Sequence, residues 1–466
     1  MKIILAGYNV DAEVLSELTE GQHRLDVTPE TISASYARIS RDPRPINELR
    51  KIAREEVEKT RKSNSTIIFK MGHHSVAEHA VFNFDLLDVS RLALEEVEKF
   101  RLCSFTEKSQ RYQKLEGGFL IPEEIKGAKS EDRFVEIIEK QNQYYQELVG
   151  KGIEPEDARY VTAMATYGQV GLTINARNLE LLFRRFASAE LEEVRKLGRS
   201  LYELAGRIAP SILLFTEAND FDQKTYPELR DYFRGKWERQ RRVKPACELV
   251  DYTKKADLKL VAALLHTSSG ISFRNCWRKV KAMTWKKREE IVRRACQHME
   301  FYDSTLREFE HVALTYDLVL SSAGFAQMKR HRMATITSQR YDPTLGVTVP
   351  PKIKESGEER FLDLMKETEK VYGEISKVAP AAANYVLTGA HRKRILMTVN
   401  ARELYHISRL REDIHAQWDI MELSGQMTEM AKRVMPLTML LIGGKDRYPE
   451  NYKNIYGQPP KMVPLS

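Results

Sequence analysis

Two arginine-rich strings carry the side chains of this chain best suited to hold an anion. The first runs K-F-R-L-C-S-F-T-E-K-S-Q-R-Y from Lys99 to Tyr112, the second R-H-R-M-A-T-I-T-S-Q-R-Y from Arg330 to Tyr341. Arginine forks grip phosphate bidentately and stay charged. Taken alone, such arginines read most simply as structural ion pairs or a solvated face. A second cluster, G-H-H-S-V-A-E-H from Gly72 to His79, offers histidines and a carboxylate. Its His74, Glu78 and His79 miss the H-x-x-E-H zinc spacing by one residue, and Ser75 three before Glu78 also spells a helix capping box. Cys103, Cys247, Cys276 and Cys296 are scattered, so neither a structural zinc nor a disulfide framework is expected. Two basic stretches interleaved with aromatics, Arg230 to Lys244 and Arg274 to Arg288, have the composition of single-strand binders. They read better as solvated helical faces with their aromatics turned inward.

Positioning these strings needs scaffolding, and the sequence supplies it twice. Glu78 and Glu310, each followed by His, stand 232 residues apart. Each precedes an alternating segment, Ala80 to Ser90 and Val312 to Ser322. Arg101 and Arg332 are 231 apart, Arg111 and Arg340 are 229 apart, and the N-A-R triplets at Asn175 and Asn400 are 225 apart. Landmarks that keep their order while the offset shrinks record duplication followed by small deletions. The coarse pattern repeats as well. A helical stretch leads to a period-2 strand at the Glu-His pair, then a helix bearing the arginine string, a loop, and helices of which one is headed by N-A-R. The expected fold class is α+β in two tandem copies, each an antiparallel sheet with packed helices. The copies span 1–220 and 245–466, with a connecting segment, 221–244, that has a helical pattern of its own.

These ordered motifs are similar to those of the flavin-dependent thymidylate synthases (ThyX), whose signature reads R-H-R-x-x-S-x-x-x-x-S-x-R. In the first half A-R-I-S (Ala37 to Ser40), G-H-H-S-V-A-E-H and N-A-R fall in the family's order. In the second half so do Q-M-K-R-H-R (Gln327 to Arg332) and N-A-R-E-L-Y-H-I-S-R-L-R-E-D-I-H-A-Q-W (Asn400 to Trp418). The resemblance covers most of both halves. It implies ThyX-like folds, FAD as cofactor, and methylation of dUMP at C5 with methylenetetrahydrofolate as carbon donor and NADPH as reductant. It requires no cysteine nucleophile, so Cys103, at a variable position of the motif, has no role.

Carried over residue by residue, the resemblance assigns dUMP to Gln327, Arg330 and Arg411 of the second half. From the first half it takes Glu107, Lys108, Ser109, Arg111 and Arg159. Ser109, Arg111 and Arg411 form the catalytic set. FAD falls to Ser40, His73, Ser75 and Glu78, and to Arg330, His331, Arg332, Asn400, Arg402, His406 and His415. No metal is expected. The counterparts have changed in each half. Glu96, Lys99 and Phe186 stand opposite Gln327, Arg330 and Arg411, while Leu181 and Glu190 match His406 and His415. Asn384 stands for Arg159, the Glu of the first string is missing from the second, and Thr305 and Arg307 match His73 and Ser75. Each half keeps what the other has lost. The resemblance therefore implies one composite site per chain between the two repeats, its reciprocal dead, and a homodimer that imitates the family's homotetramer. If one helix ran from Asn400 to Trp418, about 100° per residue would put Asn400, Arg411 and His415 beside the stripe Leu404, Ile407, Ile414 and Trp418, with Arg402 pointing elsewhere.

Length and composition set the outer bounds. The 466 residues suggest two or three domains, and 30% charged with 42% hydrophobic residues is an ordinary soluble composition. The net charge of +8 suits nucleotides, dinucleotides and folates, and equally nucleic acid. No apolar run reaches the roughly 20 residues of a bilayer span, and the start is too short in apolar residues for a secretory signal. A reduced, cytoplasmic protein without membrane contact is the expectation. Two other functions stay open. One is a related flavoenzyme that modifies C5 of another pyrimidine nucleotide, because fold and signature do not separate such close substrates. The other is a non-catalytic nucleotide- or nucleic-acid-binding relative.

Overall fold

Alternation of apolar and polar residues builds the strand that follows each Glu-His pair. In the first, Phe82, Phe84 and Leu86 are buried while Asn83 and Asp85 face outward. In the computed structural model, which describes residues 1–17, 24–39, 41–237 and 246–462, this is β2 of a four-stranded antiparallel sheet. The strands are β1 (Lys2–Tyr8), β2 (Val81–Ser90), β3 (Cys103–Glu107) and β4 (Tyr167–Asn175), in the order β1-β2-β4-β3. A second sheet repeats it with β5 (Cys247–Tyr252), β6 (Ala313–Ser321), β7 (Thr335–Ser338) and β8 (Arg392–Asn400), in the order β5-β6-β8-β7. The register is duplicated too. Val81 pairs with Asn175 and Ala313 with Asn400. A register irregularity falls between Leu5 and Gly7 in one copy and between Leu249 and Asp251 in the other. Each N-A-R asparagine caps a helix, Ala176–Ala187 or Ala401–Arg411.

Two expected helices take other forms. Neither arginine string is helical: the preceding helices end at Val97 and Met328, the R-H-R position is a turn, and β3 and β7 then pair with β4 and β8. Short runs rich in Thr, Ile and Phe favour the pleated edge over continued helix. The C-terminal string is also broken. Its helix stops at Arg411, and the next, Trp418–Val434, starts after a turn. There Asp413 accepts the His415 N–H at 3.0 Å, and the Ala416 N–H bonds the Asp413 carbonyl at 2.8 Å. Such local bonds compete with the helical ladder. Ile414 and His415 are therefore exposed rather than lying along the apolar stripe.

The compact units do not follow the repeats. One unit holds 1–240 and 351–388, the other 241–350 and 389–466. The reason lies inside the first unit, where the helix Pro351–Ile375 packs on the helix Lys129–Gly150. Lys140 Nζ meets Glu367 Oε1 at 2.6 Å, and the Gln141 amide donates to Thr368 Oγ1 at 2.9 Å, each pair 227 residues apart. Ala163 bridges Thr388, the Met164 N–H donates to the Leu387 carbonyl at 2.7 Å, and the Ala165 N–H donates to the Tyr385 carbonyl at 2.9 Å. The Lys140–Glu367, Gln141–Thr368 and Ala163–Thr388 separations fall within the repeat offset, and the two backbone bonds flank the last of these pairs. Residues meeting their own counterparts make the contact isologous, the geometry of a two-fold dimer interface. Gln141 is fully buried and also donates to the Val386 carbonyl at 3.0 Å. Stranding that amide costs about 1–3 kcal/mol, whereas a part-exposed ion pair such as Lys140–Glu367 contributes about 0–1 kcal/mol. The amide, more than the ion pair, fixes this pairing.

Within the connecting segment, Asp220–Phe233 is a helix opened by a capping box between Asn219 and Asp222. Residues 238–244 of that segment lie outside the described residues. Tyr232, Trp237 and Trp285 are exposed, so the aromatics of both basic stretches do not all turn inward. Arg230 and Arg234 are engaged by Glu190 and Asp231. Among the described residues no helix is long and apolar enough to cross a membrane, and no cluster of His, Cys, Asp or Glu could hold a metal ion.

Candidate active site

The first repeat's candidates gather at the end of β3. Glu107 is its last residue, and the Lys108 N–H extends the ladder to the Gln169 carbonyl at 2.9 Å while its side chain is exposed. Ser109 opens the next turn, its hydroxyl accepting the Arg111 N–H at 3.3 Å. Arg111 reaches Glu156, with Nε and Nη2 each 2.8 Å from Oε2. Arg159 begins the 3-10 turn Arg159–Val161 and donates Nε to the Glu156 carbonyl at 3.3 Å. Glu156 thus ties the two arginines together. Arg159 is 5% exposed, and burial pushes its pKa down to about 10; Arg91 and Arg111 add to the shift, while Tyr160 and Glu107 oppose it.

Arg91 was not anticipated from sequence. It is as buried as Arg159, and its Nη1 has no hydrogen-bond partner. Guanidiniums crowded in a low-dielectric interior are a setting that favours a bound anion. The signal for Arg91 was weak: an arginine opening a helix, where the second repeat has Ser322.

The second unit gathers its set between the helix Ser322–Met328 and the helix Ala401–Arg411. Ser321 caps the former through the Gly324 N–H at 2.8 Å and is itself held by Asp419. Ser90, held by Glu193, caps the corresponding helix of the first repeat. Gln327 is buried and donates to Gln417 Oε1 at 2.8 Å. Arg411 donates Nε to His331 Nε2 at 2.9 Å and Nη2 to the Gln327 carbonyl at 3.2 Å. His331 is held well below its ordinary pKa, first by burial and then by Arg411 and His406. The His406 ring lies 5.8 Å from it, edge-on. Glu403 Oε1 lies 3.6 Å from His331 Nδ1, and burial raises the Glu403 pKa. Neither Glu403 nor Gln417 was singled out from sequence, because their significance comes only from burial. Arg330, exposed, donates Nε to the Ala326 carbonyl at 3.2 Å, and Arg332 is exposed.

The expected flavin residues divide. Arg402 bonds Glu310 at 2.7 Å and the Thr305 carbonyl at 2.9 Å, as Arg177 bonds Glu78 in the first repeat. Arg402 and Glu78 therefore staple a helix to the Glu-His turn in their own repeats. Asn400 spends its carbonyl oxygen on the Glu403 N–H at 2.8 Å. His415 sits in the turn beyond the helix, apart from the line of Asn400 and Arg411. His73 and Ser75 are exposed, and no side chain caps the 3-10 helix His74–His79, so the capping box does not form. Ser40 lies outside the described residues.

The lost counterparts are closed rather than vacant. Phe186, where the second repeat has Arg411, is buried with its ring centroid 5.9 Å from that of Phe100, the counterpart of His331. Lys99 pairs with Glu96 at 2.6 Å. Glu107 faces Val170 in its ladder, and Ser338 takes that slot opposite Ile395, so the missing glutamate is a serine.

A family model described as Thymidylate synthase complementing protein, Thy1, matches the chain twice, over residues 25–211 and 248–437. A flavin-dependent thymidylate synthase of Geobacter sulfurreducens is 32% identical over 200 residues, covering 41% of this chain and 82% of that one. Another, of Pyrococcus furiosus, is 30% identical over 148 residues, covering 30% of this chain and 61% of its own length. UPF0159 protein Ta1429 of Thermoplasma acidophilum is 23% identical along 87% of this chain and 92% of its own. Among solved structures, a UMP/dUMP methylase from Streptomyces cacaoi bound with 5-Br dUMP covers 45% of this chain and 92% of its own, at 18% identity and a TM-score of 0.36.

Proposed function

The chain belongs to the Thy1 family, thymidylate synthase complementing protein, and from that premise we propose that it is an FAD-dependent thymidylate synthase methylating C5 of dUMP. Methylenetetrahydrofolate is the carbon donor and NADPH the reductant. One active site per chain draws side chains from both repeats, and a homodimer carries two such sites. The single observation behind this reading is complementary retention. Glu107, Ser109, Arg111 and Arg159 persist as a full set only in the first repeat, and Gln327, Arg330 and Arg411 only in the second.

In this reading Arg111, Arg159 and Arg411 hold the phosphate, and Gln327, Glu107 and Ser109 orient the pyrimidine. Positioning is the protein's share of the catalysis. The donor set suits FAD: the exposed His73, Ser75, His406 and His415 offer groups that pyrophosphate and ring carbonyls accept. Arg402 and Glu78 support those groups from behind. FAD, when bound, supplies the redox chemistry and relays the one-carbon unit.

The test is a flavin absorbance spectrum with a stoichiometry, followed by turnover assays in which dUMP, UMP and dCMP compete. One FAD per chain and dTMP as product are expected. Two FAD per chain would break the single-site reading. Preference for UMP or dCMP would shift the substrate. A colourless protein that binds oligonucleotide with steep salt dependence would indicate a non-catalytic relative.

A further inference from the structure

We infer that Glu403 is a positioning residue: it selects the tautomer of His331 and, through it, sets the direction of the Arg411 guanidinium. The inference rests on the reading of Arg411 as a nucleotide ligand.

One hydrogen bond fixes where the His331 proton sits. A guanidinium has donors and no acceptor, so His331 Nε2, which receives the Arg411 Nε–H at 2.9 Å, carries no proton. The ring is then neutral, with its proton on Nδ1. Burial and the neighbouring Arg411 and His406 also disfavour imidazolium. Nδ1 is buried without a hydrogen-bond partner, and Glu403 Oε1 stands 3.6 Å from it. Which imidazole nitrogen keeps the proton is set by what the other meets. A carboxylate oxygen before Nδ1 favours Nδ1–H. An apolar group there would release the proton to Nε2, and two donors would then face each other across the Arg411 contact.

Glu403 is fixed for this task. Its backbone N–H is tied to Asn400 Oδ1 at 2.8 Å, and its side chain is buried in the first turn of the helix that ends at Arg411. Arg411 has its second anchor at the Gln327 carbonyl. The first repeat has lost the three together: Asn178, Phe100 and Phe186 stand where the second has Glu403, His331 and Arg411. With no arginine to aim, no proton needs placing.

The test uses the full chain with 15N-labelled histidine, the His331 signal being assigned by its absence in His331→Gln. The wild-type protein should show the Nδ1–H tautomer. Glu403→Leu should convert it to Nε2–H and weaken dUMP binding about tenfold, the size of one lost hydrogen bond to a charged group. Glu403→Gln, which keeps an acceptor oxygen, should restore the tautomer and most of the affinity. An Nε2–H tautomer in the wild-type protein overturns the inference whether or not a Glu403 variant folds. So does a Glu403→Leu variant with unchanged tautomer and affinity. If the wild-type chain binds no dUMP, the functional reading fails, and the spectrum still decides whether Glu403 selects the tautomer.

Discussion

At equivalent backbone positions the two repeats hold opposite chemistry. The second puts a guanidinium against an imidazole, Arg411 on His331 at 2.9 Å; the first puts Phe186 against Phe100. In the proposed reading, the difference is how a duplicated site is retired. A buried arginine without a partner costs several kcal/mol, whereas a buried phenylalanine contributes about 2–3 kcal/mol. Once one copy serves the ligand, the other gains by converting polar positions to core. The connecting helix completes the change. Its Asp222 takes Arg184 at 2.9 Å and Arg185 at 2.9 Å, and its Arg230 takes Glu190, the counterpart of His415.

The sharpest way to break this asymmetry is activity. Arg411→Ala or Arg111→Ala should lower kcat/KM by at least about 100-fold, as removal of one partner from a desolvated charged contact does. Lys99→Ala, at the counterpart of Arg330, should leave turnover unchanged and stability within about 0.5 kcal/mol, since its ion pair with Glu96 is exposed. Comparable losses at Lys99 would restore two equal sites.

Stability should run the other way. Phe186→Ala should cost about 3–5 kcal/mol in urea unfolding, and Arg411→Ala about 1–3 kcal/mol through the stranded His331 nitrogen. Equal costs would mean that the first repeat was not repacked.

The smallest effect is on pH. His331 stays neutral in the fold, so unfolding lets it bind a proton below its ordinary value of about 6.5. Its stabilisation is present above that pH and is lost as pH falls, by up to about 1.4 kcal/mol per unit. Glu403 has the opposite sign: its raised pKa stabilises the fold in acid, and that contribution is lost as pH rises through the raised value. His331→Phe, which copies Phe100, should flatten the fall of stability between pH 6.5 and 5 in a urea series. A slope equal to wild type would remove His331 from this account.

The duplication was legible because two strands and two capped helices kept their register, as Val81–Asn175 and Ala313–Asn400 show. The break after Arg411 was not, because apolar spacing continues through Ile414 while the Asp413 side chain ends the helix locally. Nor was the placement of 351–388. An apolar stripe on Pro351–Ile375 announces that something covers it, without saying which helix. Arg91, Glu156 and Glu403 are ordinary polar types in sequence, and only their surroundings in the fold give them meaning.

The self-matched contact inside the first unit bears on the order in which the chain can fold. Gln141 waits for Thr368 and Val386, which leave the ribosome much later. At about 5–20 residues per second, one face of the helix Lys129–Gly150 stays uncovered for roughly ten seconds to a minute. Closing so long a loop is slow, and exposed apolar surface in that interval invites aggregation. Tethering also raises the effective concentration of the partner segment, so the pairing no longer depends on a diffusing second chain. Fusion thus trades a search through solution for a delay during synthesis, and the N-terminal unit is among the last parts of the molecule to close.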